Sequence, residues 1–389
     1  MPESAVCVST RSTAAQEREL VNELTTPLRD ASGPVKGGFV YCGVGYDTRA
    51  IALALQEALP DVPFVGVTSF QTKGAVALWL CGERVRFGVA HLEKTANVTQ
   101  TLGHALAERA RTSGRLERVN AAVLHSTPGG EEVIVHGLHG ALPPRTAVIG
   151  GSAADDDLSG KWRVFSSELG PGDNAAVVAL LDWPGPVTSA YQGGAVITSR
   201  RGIVTRARGR TIEQIDHRPA AEVYDAWLGG KLSAALVSGG SVLPDTTLTP
   251  LGVFRGVSGQ LGTYVLVHPE RITPDKGLTV FAEVAEGEEV IAMTSSKLGL
   301  IGRAGSLAGR ALQDARMSPA QVAGALLVYC AGCKLSIGDQ SGTMLKGFEA
   351  AVGAPFAAVF CYGEQGCATP ERADHGNLMT SVLLLGRPA

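Results

Sequence analysis

One pattern occurs three times in this chain and limits what it can fold into. A short apolar run ends in a small-residue turn; a connecting region follows, then a second short apolar run with its own small-residue turn. The first copy runs from FVYCGVGYDTRAIALALQEAL into PFVGVTSF, and the second from AAVLHSTPGG into TAVIGGSAADD. The third runs from ALLVYCAGCK through SGTMLKGFEAAV into PFAAVFCYGEQG. In the first copy Ile51, Leu55 and Leu59 recur every four residues, and in the third Met344, Phe348 and Val352 do so. That spacing puts the apolar side chains on one helical face, which must lie against a sheet. Leu326–Tyr329 and Phe356–Phe360 are almost continuously apolar, as strands covered on both faces are. The pattern therefore predicts an α/β fold with duplicated βαβ-like units in mixed sheets. In the second copy His136 and His139 interrupt the pattern, and no helical period is visible there.

A different stretch separates the copies. Thr205–Ile215 alternates loosely, as a hairpin does, and Pro219 opens a helix in which Val223 and Trp227 share a face. Thr279–Val284 and Glu289–Met293 read as strands around an acidic turn, and Leu307–Leu312 as part of another helix. This is an α+β linking segment. The turn-rich DWPGPV before Tyr191 marks a domain boundary, which for a chain of 389 residues is the expected organisation.

Composition narrows the partners. Lys plus Arg is 34 against 37 for Asp plus Glu, so no basic footprint for nucleic acid or an anionic membrane is present. No apolar run approaches the length needed to cross a bilayer, and the N-terminus lacks a signal-peptide core. Seven cysteines in a chain this long do not form a disulfide framework, so a cytoplasmic protein with reduced thiols is expected.

The order and spacing of several motifs resemble the FIST family across nearly the whole chain. FVYCGVGYD, PFVGVTSF and IGGSAADDD (Ile149–Asp157) resemble its N-terminal module. GRTIEQIDHRPAAEVYDAWL (Gly209–Leu228) resembles the link between modules. ALLVYCAGCK, CYGEQG (Cys361–Gly366) and the terminal His375-Gly376-Asn377 resemble the C-terminal module. The resemblance implies an N-terminal domain over 20–185 and a C-terminal domain over 190–389. It implies a sensory protein that binds a small, amino-acid-like molecule. The chain has no spare length for a kinase, cyclase or receptor span, so a separate signalling partner is expected. Some family members bind haem and sense nitric oxide, which makes haem an alternative cofactor; none of the eight histidines stands in a pattern naming an axial ligand, and no cofactor is predicted. The family's Cys-Asn-Gly-Arg is replaced here by Cys330, Ala331, Gly332 and Cys333, followed by Lys334, while its Tyr-Gly-Glu is intact as Tyr362, Gly363 and Glu364.

Open α/β folds bind ligands beyond the ends of parallel strands. Gly150, Gly151 and Ser152, whose backbone N–H groups a turn would expose, are therefore expected ligand contacts, with Cys330, Tyr362, Gly363, Glu364 and Asn377. The plainer reading of the glycines is a turn. Cys330 and Cys361 end two strands of one unit and should be neighbours. With Cys333, Cys367 and His375 they could hold zinc, act as a redox pair, or serve as nucleophile with His375 or Glu364 as base; the plainer reading is small buried packing groups. The spacing is wrong for a common zinc finger, and no metal site is predicted. Asp155–Asp157 read as a solvated loop, with Asp155 close enough to the glycine turn to face the crevice, and His136 and His139 as loop residues. Gly43 and Gly45 lack the third glycine of a dinucleotide fingerprint, and no Walker, GxSxG or HExxH pattern occurs.

Overall fold

The computed structural model describes residues 5–258 and 261–388. Three units of one design build the body. Unit I holds strands β1 (Val6–Ser12), β2 (Val35–Cys42), β3 (Phe64–Thr68) and β4 (Ala75–Cys81), with helices α1 (Glu17–Thr25) and α2 (Thr48–Ala58). Unit II holds β5 (Arg86–Glu93), α3 (Gln100–Ser113), β6 (Ala121–Ser126), α4 (Glu131–Gly140) and β7 (Ala147–Ser152). The short β8 (Val164–Ser166) precedes its last strand, β9 (Ala175–Asp182). Unit III starts with β10 (Val187–Gly193). An insert of nine strands, β11 to β19, follows between Val196 and Thr294, with helices α5 (Ala220–Trp227), α6 (Ser233–Ser238) and α7 (Leu243–Thr246). Unit III then resumes with α8 (Lys297–Asp314), β20 (Val322–Cys330), α9 (Ala331–Ile337), α10 (Ser341–Val352) and β21 (Phe356–Cys361). It crosses through β22 (Glu364–Thr369) and β23 (Arg372–Gly376) before ending on β24 (Met379–Gly386).

The sheet order repeats from unit to unit: β1-β4-β2-β3, β5-β9-β6-β7 and β10-β24-β20-β21. In each, the last two strands of the order pair in parallel, and the returning strand beside them is antiparallel. The duplicated βαβ pattern of the sequence is thus present three times. Val40 and Val328 lie on equivalent strands, β2 and β20.

Each unit lends its last connection to another. In unit I, the Phe70 N–H donates to Phe360 O of unit III at 3.0 Å. In unit II, the Ala154 N–H donates to Thr68 O of unit I at 3.1 Å, and β8 pairs with β3. In unit III, the Tyr362 N–H donates to Ser152 O of unit II at 3.1 Å, and β22 pairs with β7. The exchange is cyclic, so Phe70, Ala154 and Tyr362 hold one position in three copies. This register equates Val40 with Leu327, one residue before Val328.

The inner faces of the three sheets share one core, to which Tyr41, Val67, Val123, Ile149, Val328 and Val359 contribute. The helices cover the outer faces. Ile51 and Leu55 of α2 and Met344, Phe348 and Val352 of α10 are buried, as their spacing requires. The second copy departs from its sequence reading, because α4 is a helix that carries His136 and His139. It buries Ile134, Val135 and Leu138, an apolar stripe that the two histidines hide in the sequence. In the insert, β11 (Val196–Arg208) and β12 (Thr211–Ile215) form the expected hairpin, and Pro219 caps α5. The insert packs on unit III through Val265, Leu266 and Met293.

Candidate functional site

The register of β20 and β21 places Cys330 beside Cys361, and none of the cysteines is in a disulfide. Their side chains part company. Cys361 points into the shared core beneath Gly151, and burial pushes its thiol well above the usual range. Cys330 caps α9 and is 5% exposed. Burial acts to raise its thiol, but the Cys333 thiol and the N–H groups of Cys333, Leu378 and Gly332 outweigh that and bring it down to about 7. Glu364 is fully buried, and its Oε2 accepts from the Met379 N–H at 2.9 Å. Burial and the adjacent Cys330 push its carboxyl well above the usual carboxylate range, and its Oε1 has no partner. Asn377 Oδ1 accepts from the His268 N–H at 3.2 Å, while its Nδ2 is buried without a partner. The next residue, Leu378, stands at φ 55°, a left-handed conformation that only a constrained position imposes on leucine.

Gly150, Gly151 and Ser152 are strand residues of β7 rather than a turn. Gly150 and Gly151 pair with β6 on one side and β22 on the other, and the Ser152 N–H donates to Gly363 O, so these amides are not displayed to solvent. Glycine is required there by close approach. A Cβ at Gly150 would stand 2.1 Å from Leu124 O, and one at Gly151 2.4 Å from Cys361 Sγ. Gly363 lies against His375, with 2.3 Å from a built Cβ to Cε1. Tyr362, Glu364 and Ser152 are therefore backbone neighbours, yet their side chains enter three environments. The Tyr362 hydroxyl donates to Asp155, and its ring contacts Phe70 and Trp162. Asp155 is not a solvated loop residue: it is fully buried and accepts from the N–H groups of Leu158 and Lys161. Lys334, at the end of the altered Cys-Asn-Gly-Arg pattern, donates to Phe70 O and Gln71 O at 2.9 Å and sits 3.9 Å from the Phe360 ring. Burial lowers its ammonium to about 8. It locks the crossing from unit I to unit III. Cys367 is on β22, with its thiol 3.9 Å from Thr146 O and apart from the Cys330 cluster.

A second cluster lies where unit II meets the insert. Arg210, in the turn between β11 and β12, donates from Nη2 to Glu131 Oε2 at 2.6 Å and Glu132 Oε2 at 2.9 Å. Glu131 opens α4 and is 2% exposed. Burial acts to raise its carboxyl, but Arg210 and then His375 hold it down to about 2. Its Oε1 accepts from Ser152 Oγ at 2.9 Å. Gln365 Nε2 lies 3.3 Å from that hydroxyl and 3.1 Å from His375 Nδ1. His375 Nε2, at the end of this chain, is buried and without a partner. That edge of the ring lies against Gly363, while His375 as a residue also lines a cavity of about 300 Å³ whose walls are α4, β23 and the insert. Arg255 pairs there with Glu288 and stands 3.2 Å from Asp374 Oδ1, and Arg372 stands 2.7 Å from the same oxygen. Asp374 Oδ2 also lacks a partner. Five carboxylates (Glu132, Glu283, Glu286, Glu288 and Asp374) face two guanidiniums, Arg255 and Arg372. His136 and His375 were visible in the sequence as isolated motifs, but nothing there joined them to Arg255 or Glu283.

Among the described residues no group of three His, Cys, Asp or Glu side chains is placed to hold a metal ion, and no helix is long and apolar enough to cross a membrane. The cavity does not fit haem, whose broad apolar face needs an apolar slot rather than one walled by carboxylates.

Small-molecule sites are concave and mostly apolar, with a few convergent polar groups; this cavity is concave but is lined mainly by charged side chains. The chain belongs to the FIST family: the FIST N domain matches residues 36–218 and the FIST C domain residues 220–367. FIST domains are in general small-ligand sensory domains of signalling proteins. The matched regions contain Arg210, Glu131, Arg255 and Glu364; His375 and Asn377 lie beyond them. No curated protein matches the chain. Among solved structures, a cyanuric acid hydrolase from A. caulinodans matches at 10% identity and TM-score 0.35, covering 97% of this chain and 99% of that one. The T. maritima PurL in complex with ATP matches at 10% identity and TM-score 0.24, covering 100% of this chain and 73% of that one. Overlap at that level carries no argument about chemistry here.

Proposed function

We propose that this protein senses an amine-bearing, amino-acid-like metabolite, bound in the cavity between unit II and the insert, and passes the signal to a separate partner protein. The observation that carries the reading is a cavity lined by His375 in which five carboxylates outnumber two guanidiniums. Glu283 and Glu286 make no ion pair among the described residues, which leaves them for a ligand ammonium. Arg372 and Arg255 suit its carboxylate through a planar two-pronged contact.

Thermal shift followed by titration calorimetry tests the reading, using the twenty amino acids, simple amines and matching amine-free carboxylic acids. A ligand at 100 times its Kd stabilises the fold by about 2.7 kcal/mol. The expected result is a shift with one or a few amine-bearing compounds, lost in Arg372→Ala and in His375→Ala. A panel without a shift, or binding unchanged in both variants, would overturn the assignment of this cavity.

A further inference from the structure

We propose that Cys330 and Cys333 form a dithiol that a small hydroperoxide converts to a disulfide, with Glu364 as the proton donor beside them. This inference is independent of the ligand cavity and uses side chains that the ligand reading leaves idle.

Three features of the geometry meet here. Cys330 caps α9, and Cys333 is the third residue of that helix, so both thiols belong to its first turn. Gly332 lies against Cys330 Sγ, with 3.6 Å from a built Cβ to the sulfur, and the N–H groups of Gly332, Cys333 and Leu378 act to favour its thiolate. Leu378 reaches that position only by adopting φ 55°. Glu364 completes the cluster. It is fully buried, its Oε2 is engaged by the Met379 N–H, and its Oε1 has no partner. A buried carboxyl with a free oxygen beside a thiol is costly for packing alone, whereas a proton donor needs that freedom. Cys361, beside Cys330 in the sheet, has its thiol turned into the apolar core, so it is the internal comparison.

The chemistry balances with these groups and a hydroperoxide. The Cys330 thiolate attacks one peroxide oxygen; an S–O bond forms as the O–O bond breaks, and the departing hydroxide takes the Glu364 proton and leaves as water. Cys330 is then a sulfenic acid. The Cys333 sulfur attacks it, forming the S–S bond as the S–O bond breaks, and the Cys333 proton leaves with the hydroxyl as a second water. Two thiols lose two electrons, and hydrogen peroxide is reduced to two waters. Cys330 is 5% exposed and Cys333 1%, so a bulky thiol reagent is excluded.

The test treats the full-length protein with hydrogen peroxide, unfolds it, blocks the remaining thiols and maps the peptides by mass spectrometry. The expected product is a dithiothreitol-reversible Cys330–Cys333 disulfide that forms at least roughly tenfold faster than oxidation at Cys361. Glu364→Gln keeps the volume of the side chain and should slow the step roughly tenfold or more, since general-acid assistance is worth that much. Cys333→Ser should stop at an oxidised Cys330. A dithiol that survives while Cys361 or Cys367 oxidises would overturn the proposal. So would equal rates in wild type and in a Glu364→Gln variant whose circular dichroism is unchanged.

Discussion

Replacing Arg210 by alanine tests how the insert is tied to unit II. In the wild type, Glu131 is 2% exposed, and its carboxyl is held at about 2 against an ordinary 4.5. At 1.36 kcal/mol per pH unit, that depression is worth about 3 kcal/mol of folding free energy at neutral pH. Removing one partner of a buried pair generally destabilises by about 3–5 kcal/mol, so two independent routes agree. The pH dependence follows from the direction of the shift. Because the folded-state value is depressed, the stabilisation is fully present above pH 4.5 and is lost as the pH falls toward 2. In Arg210→Ala that contribution disappears, and burial of Glu131 then works against the charged form. The variant should therefore differ from wild type by about 3 kcal/mol in urea unfolding at pH 7, and by clearly less at pH 3. Glu131→Gln, which cannot be charged, should lose less than wild type on the further loss of Arg210, the remainder being the Arg210 contact with Glu132. A difference below about 1 kcal/mol at pH 7, or an equal difference at pH 7 and pH 3, would refute the reasoning.

Two further outcomes follow from the same structure. Burial holds both His125 and His268 at about 4, against an ordinary 6.5, so both are neutral when folded and take up protons on unfolding. Their contribution is present above pH 6.5 and is lost between 6.5 and about 4; the melting temperature should fall through that window, and less steeply in His125→Gln. Gly151→Ala would place a methyl group 2.4 Å from Cys361 Sγ and 2.7 Å from Val328 Cγ1, costing about 1–3 kcal/mol; Gly45→Ala, with nothing within 4 Å of its Cβ, should leave the melting temperature unchanged.

Much of the architecture was legible because burial on two faces leaves a strong mark in sequence. ALLVYC and FAAVFC can be little else than interior strands, and the four-residue spacing of Met344, Phe348 and Val352 names the face of α10 that is buried. What stayed hidden was carried by backbone rather than side chains. The cyclic crossing of units depends on the backbone amides of Phe70, Ala154 and Tyr362, a position at which the alanine breaks any side-chain pattern. Gly150 and Gly151 show the same limit, since a glycine required by a neighbouring strand looks like a glycine required by a turn. The polar cavity was illegible for another reason. Its walls join Glu132 to Arg255 and His375, and no local period or motif links residues so far apart.

The placement of the cavity gives a ligand mechanical purchase. Units I to III are held by mutual exchange of backbone, so none can shift alone without breaking strand pairing. The insert is different: it enters and leaves unit III at Gly193 and Ser296, and it meets unit II through Arg210, with the Glu283 N–H donating to Glu132 Oε1 at 2.9 Å. The same Glu131 that receives Arg210 is linked through Ser152 and Gln365 to His375, a residue that lines the cavity. A ligand group that packs on His375 therefore acts on a hydrogen-bonded chain ending on the insert. Ligand binding should be coupled to the Arg210 contact, and thermodynamic linkage makes that coupling reciprocal. Arg210→Ala should then change ligand affinity although Arg210 is not among the residues lining the cavity. Calorimetry on wild type and variant measures the coupling, and equal affinities would show that the cavity and the insert contact act independently.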